Sequence, residues 1–241
     1  TIKTTTKFNY AASGEMTDSV TTKLQDGTVK KSETLYSGPE GEERADKTYN
    51  YNFDGTLIKT TTVFAYAATD ELLSSVTTKL QDGTVKISET FYSGPQGEEK
   101  AQKTYNYNFN GTTIKTTTKF NYAASGEMTD SVTTKLQDGT VKKSETLYSG
   151  PEGEERADKT YNYNFDGTTI KTTTVFTYAA TDELLSSVTT KLRDGAVKIS
   201  ETFYSGPQGE EKAQKTYNYN FNGTTIKTTT KFNYAASGEM T

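Results

Sequence analysis

Apolar and polar residues alternate along most of this chain, and the alternation recurs. In residues 160–174 aromatics take every second position, Tyr161, Tyr163 and Phe165, before Asp166-Gly167, Ile170 and a run of threonines. Nearly the same words stand at 48–62, 104–118 and 216–230. A period of two predicts a half-buried strand. Asp-Gly between two such runs predicts an antiparallel hairpin closed by a two-residue type I′ turn. In that register Phe165 faces Thr168, Tyr163 faces Ile170 and Tyr161 faces Thr172. One face then carries Tyr161, Tyr163, Phe165, Ile170, Thr172, Thr174, Phe176 and Tyr178. The other carries Thr160, Asn162, Asn164, Thr169, Lys171, Thr173 and Val175.

The hairpin belongs to a larger repeat. Ile2, Ile58, Ile114, Ile170 and Ile226 are 56 residues apart. Asp-Gly or Asn-Gly pairs recur every 28 residues, from Asp26-Gly27 and Asp54-Gly55 to Asn222-Gly223. Between them lies a second set of turns, at 11–16, 37–44, 67–72 and 93–100. Each 28-residue unit therefore reads as two strands of about ten residues, at the long end of normal. Residues 1–112 and 113–224 differ at four places only, Leu57/Thr169, Ala65/Thr177, Gln81/Arg193 and Thr84/Ala196, and 225–241 begin a third copy. The expectation is one continuous array over 1–241, with no linker, cut from a longer one.

Composition supports strands and argues against a thick core. Tyr and Thr, both strand formers, abound, and hydrophobic residues make up only 31% of the chain. About 17 strands at roughly 4.8 Å would span on the order of 80 Å if flat, and open twisted sheets rarely pass ~10 strands without curling. The fold class expected is thus all-β: a long antiparallel meander of tandem hairpins, curled into an open spiral or hollow tube. A closed barrel is the competing form. A membrane barrel is disfavoured, because it needs an apolar outer band. The net charge of −4, with both signs mixed, argues against nucleic acid as a partner.

The stretches 10–22 (YAASGEMTDSVTT) and 163–174 (YNFDGTTIKTTT) resemble the Tyr-Asp repeats of Rhs and teneurin proteins. They share a Tyr, a following Gly and then a hydrophobic, Thr- and Ser-rich strand. Most positions after the Tyr are Ala, Ser or Asn here, as at Ala11, Ser37 and Asn164. The resemblance implies a long antiparallel sheet that spirals into a hollow shell or tube.

Candidate chemistry is sparse. The chain has no His and no Cys, so the commonest general bases and nucleophiles are missing. The carboxylate pairs Glu42/Glu43 and Glu98/Glu99 suit acid–base work or Ca²⁺ ligation, but read more simply as solvated turns. Tyr49, Tyr51 and Phe53, with their counterparts at 105–109, 161–165 and 217–221, form a stripe that can stack sugars or serve as sheet core; the core reading is preferred. The Lys-Thr-Thr-Thr runs suggest threonine ladders of the ice-binding kind, interrupted by Lys59 and Lys115. Asn110-Gly111-Thr112 and Asn222-Gly223-Thr224 fit the glycosylation pattern, but Asn also suits a tight turn. No catalytic, cofactor-binding or metal-binding residue is assigned, and no cofactor. The function expected is structural, not enzymatic: a segment of an extracellular or cell-surface filament, stalk or sheath that associates with itself end to end through strand edges. The alternatives are an Rhs-like shell around a cargo and a multivalent adhesin for glycans.

Overall fold

The computed structural model describes residues 3–23, 27–81, 83–137 and 139–235, which form seventeen β-strands and no helix. They gather into two compact units, Thr1–Thr117 and Thr118–Thr241. The first holds β1 (Thr4–Tyr10), β2 (Met16–Lys23), β3 (Val29–Ser37), β4 (Arg44–Tyr51), β5 (Ile58–Tyr66), β6 (Leu72–Lys79), β7 (Lys86–Ser93) and β8 (Lys100–Tyr107). β9 (Ile114–Tyr122) runs through the boundary. The second holds β10 (Met128–Lys135), β11 (Lys142–Ser149), β12 (Arg156–Tyr163), β13 (Ile170–Tyr178), β14 (Leu184–Lys191), β15 (Lys198–Ser205), β16 (Lys212–Tyr219) and β17 (Ile226–Lys231).

Within each unit, each strand pairs antiparallel with the one that follows it. The meander of hairpin repeats is therefore as the alternation predicts. The expected curl is not seen, since the sheet of each unit is open and not strongly curled. The bulges lie near the strand ends, as at Asn9/Tyr10 and Asn50/Tyr51, which leaves the middle of each ladder regular.

The turns are wider than two residues, and this changes the faces. At Asp166-Gly167 only the glycine is left-handed, with φ of 75°; Asp166 is not, so the type I′ turn is excluded. Gly167 N–H donates to the Asn164 carbonyl at 3.1 Å, and Asn164 N–H to the Thr169 carbonyl at 2.9 Å. The Asp166 carboxylate accepts from both the amide and the hydroxyl of Thr168, each at 2.8 Å. This side-chain turn holds the loop without a left-handed aspartate. The Asp residues of the turns at 26, 82 and 138 lie outside the described residues.

The predicted pair Tyr163–Ile170 is present, but the next pairs are Asn162–Thr172 and Tyr161–Thr173. Lys171 is the extra residue of a bulge, and one extra residue reverses the parity of everything beyond it. Thr173 and Val175 therefore join the face of Tyr161. Thr172, Thr174 and Phe176 move to the face of Thr160, contrary to the simple alternation. Phe165 lies in the loop and is 90% exposed.

Neither face is an apolar core. Cross-strand partners on one face run Lys47–Val63–Val76–Glu89–Tyr105. On the other they run Ser19–Thr34–Thr48–Thr62–Thr77–Ser88, a row of hydroxyls across six strands. Among the described residues the buried apolar side chains are Tyr161 and Ile170 alone. The aromatic stripe is thus half-buried cover on a single-layer sheet. Stability must come from the backbone ladder and from repeated cross-strand pairs.

Candidate functional surface

Each four-strand repeat builds the same polar cluster on the aromatic face. Tyr51 donates its hydroxyl to Glu33 Oε2 at 2.7 Å, and Lys30 Nζ donates to the same oxygen at 3.0 Å. Lys30 also lies 5.4 Å from the centre of the Tyr51 ring. The cluster recurs at Tyr107/Glu89/Lys86, Tyr163/Glu145/Lys142 and Tyr219/Glu201/Lys198. The Tyr51 hydroxyl and the Lys30 ammonium together hold the Glu33 carboxyl below its ordinary value, against the opposing effect of burial. Burial, with Glu33 as acceptor, raises the Tyr51 phenol. Three charged or polar groups therefore satisfy one another, and none is left as a free acid or base.

In a meander the turns fall alternately at the two ends of the strands, and the two ends differ in charge. The end formed by 11–15, 38–43, 67–71 and 94–99 is acidic. There Glu43 spans two turns: Oε1 accepts Met16 N–H at 2.7 Å and Oε2 accepts Gly41 N–H at 2.9 Å. Glu99 does the same for Leu72 and Gly97. The Met16 amide is the largest cause holding the Glu43 carboxyl below its ordinary value. Asp70 takes the left-handed position that Gly14 holds in the neighbouring repeat, with φ of 71°. Arg44 pairs with Asp70 and stacks 4.7 Å from the Tyr66 ring centre.

The opposite end is basic and carries an exposed aromatic. Lys23 Nζ sits 3.5 Å from the centre of the Phe53 ring and donates to the Phe53 carbonyl at 2.7 Å. Lys79/Phe109, Lys135/Phe165 and Lys191/Phe221 repeat this contact. These phenylalanines are 76–90% exposed. Lys59 and Lys171 are the bulge residues of their strands. Their carbonyls accept the amides of Leu80 and Leu192 at 2.9 Å, while their side chains are exposed. In the second unit Lys135, Lys143, Tyr163, Asn164, Phe165 and Lys171 line a hollow of about 510 Å³.

The residues singled out in the sequence now have places. Glu43 and Glu99 hold backbone amides. Glu42 and Glu98 stand beside them on the exposed rim. Tyr49 lies under Lys47, 5.8 Å from ring centre to ammonium, so its outer face is partly covered. The threonine hydroxyls pair with one another, as Thr34 with Thr48 and Thr62 with Thr77, both at 2.9 Å. Each pair spends one hydroxyl donor on its partner. The Asn110 side chain accepts the amide and hydroxyl of Thr112 at 3.0 and 2.7 Å, as a turn residue does. The Lys23–Phe53 contact escaped the sequence reading. Its one signal was the constant separation of 30 residues between Lys and Phe in every repeat.

No protein-family model matches this chain, and no curated protein does. Similar solved structures include TcdB2-TccC3-Cdc42, at 12% identity and a TM-score of 0.30, covering 97% of this chain and 15% of that one. TcdB2-TccC3 without its hypervariable C-terminal region matches at 11% and 0.30, covering 98% and 15%. A porin-like protein from Bacteroides uniformis matches at 9% and 0.34, covering 87% of this chain and 85% of that one. The chain thus spans about 15% of the length of the two TcdB2-TccC3 chains.

Proposed function

We propose that this chain is an architectural β-repeat segment, part of a filament, stalk or sheath outside the cell or at its surface, with no catalytic role. The observation that carries this reading is the repetition of three polar constellations. The Tyr–Glu–Lys cluster, the Glu clamp and the Lys–Phe contact each recur, and each group is satisfied inside the repeat. An active site needs a singular arrangement with unspent groups, whereas repetition multiplies length and surface. The resemblance to Rhs and teneurin repeats supports the architectural class. The open sheet of each unit favours a filament over a shell that encloses cargo.

End-to-end association through strand edges belongs to this proposal. Among the described residues β1 pairs only with β2 and β17 only with β16, and both strands are exposed along most of their length. Unpaired edges template pairing with another chain. The join takes a register that keeps Lys7 and Lys231 apart, because like charges directly opposite are destabilising. Negative-stain microscopy at rising concentration tests the proposal. Fibres that shorten in Thr6→Pro are expected. Discrete hollow particles would replace the filament by a shell, and isolated particles at every concentration would overturn the reading.

A further inference from the structure

We infer that the two turn-bearing edges of each sheet are complementary docking surfaces for one another, so that the acidic edge of one copy seats on the basic edge of a second. This rests on the architectural reading above and names a lateral contact, distinct from the strand-edge join.

Three observations point to a second copy of this chain. The first is charge. The acidic edge presents Glu42, Glu98, Glu154 and Glu210 at exposed positions, and the basic edge presents Lys59, Lys115, Lys171 and Lys227 at exposed positions. The second is period. Both series are spaced by 56 residues, one group per four strands, so the edges are in step by construction. A partner of any other kind would have to match that spacing independently. The third is shape. The acidic edge ends in Pro-Glx-Gly tips, such as Pro151-Glu152-Gly153, exposed throughout and with nothing within 4 Å of a Cβ placed on Gly153. The basic edge offers the hollow of about 510 Å³ walled by Phe165, Lys143 and Lys171. A proline packs on an exposed phenylalanine while the flanking carboxylates meet lysines.

Each exposed ion pair contributes little, on the order of 0.2–1 kcal/mol, and is screened by salt. The repeats supply many pairs at once, and linked weak contacts gain avidity. The contact is heterologous and leaves a free edge of each kind, so it propagates sheets sideways without closing.

A charge-swap experiment in full-length chains tests this. One variant carries Glu42→Lys, Glu98→Lys, Glu154→Lys and Glu210→Lys. The other carries Lys59→Glu, Lys115→Glu, Lys171→Glu and Lys227→Glu. Circular dichroism first establishes that both keep the wild-type sheet signal. Sedimentation velocity of the wild type should show association that weakens at least tenfold as salt rises from about 20 to 500 mM, where the screening length falls several-fold. Each variant alone should lose that association, and an equimolar mixture should regain it, because one then carries two basic edges and the other two acidic ones. Failure of the mixture to regain the salt-sensitive association, or salt-sensitive association that persists in either variant alone, overturns the lateral contact. Fibres that shorten in Thr6→Pro, together with salt-sensitive association unchanged by either swap, would overturn it while leaving the architectural reading intact. Saturable binding of heparin by the wild type, without co-assembly of the variants, would assign the basic edge to a polyanion and also overturn it.

Discussion

Glu43 ties two successive hairpins together: it accepts the Met16 amide, 27 residues back along the chain, at 2.7 Å and the Gly41 amide of its own turn at 2.9 Å. Glu99 and Glu211 make the same link to Leu72 and Leu184. The bonds form best to the ionised carboxylate. In all three residues the carboxyl is held below its ordinary value, chiefly by the amide it spans to. A depressed folded value means the stabilisation is complete above the unfolded carboxylate range, about 4.3 for Glu, and is lost as pH falls through the lower folded value. Thermal melts between pH 7 and 2.5 should therefore show a decline that begins below about pH 4.5. The triple change Glu43→Gln, Glu99→Gln and Glu211→Gln should flatten that decline. An unchanged slope would remove the clamp from the account.

Two glycines with the same backbone angle should respond differently to a side chain. Gly167 has φ of 75° and Gly153 has φ of 82°. A Cβ on Gly167 would lie 2.6 Å from the Lys142 amide nitrogen, whereas one on Gly153 meets nothing within 4 Å. Gly153→Ala should cost about 1 kcal/mol for the left-handed angle alone, and Gly167→Ala clearly more, in the range of roughly 2–4 kcal/mol, because the backbone must move. Denaturant titration measures both. Equal costs would mean that the loop at 164–169 does not rest on the start of β11.

Burial separates two positions on β12 and β13. Tyr161 is 6% exposed, and Thr177 is an exposed strand position occupied by alanine in the preceding repeat. Tyr161→Lys should destabilise by about 2–4 kcal/mol, and Thr177→Lys by less than about 0.5 kcal/mol. The reverse order in urea melts would contradict the burial of Tyr161 in the sheet.

Thr173 is 1% exposed, donates its hydroxyl to the Leu192 carbonyl at 2.7 Å and accepts the Asp194 amide at 3.3 Å. Thr173→Val keeps the shape and leaves both partners short of a bond, at a cost of about 1–3 kcal/mol. Amide exchange at Asp194 should quicken in that variant. Protection as strong as in the wild type would show that the hydroxyl does not hold this loop.

Much of the fold is legible in the sequence because strand period and turn spacing are local signals. The alternation around Tyr161 and Tyr163 predicts the hairpin, the 28-residue recurrence predicts the meander, and the Tyr163–Ile170 pair is met. The face assignment goes wrong one residue later, at Lys171. Nothing local marks a lysine as a bulge residue; its carbonyl is held by the Leu192 amide, 21 positions on, and no strand pattern encodes that contact. The Asp166-Gly167 pair misleads for a related reason. The same dipeptide serves a two-residue turn or a wider loop, and the choice here lies with Thr168 and Asn164, which bond across it. The candidate surface was less legible still. Phe165 reads as core by its place in the alternation, yet lies exposed in the loop under Lys135, because a wide loop takes it out of the strand.

The central claim is that repeated, internally satisfied hairpins make this chain a unit of assembly. Multi-angle light scattering of the purified wild-type chain from low to high micromolar concentration, at low salt, tests that claim most directly. The predicted result is a weight-average mass that rises continuously with concentration above the 26.5 kDa of the single chain. A mass fixed at that value across the whole range would contradict it.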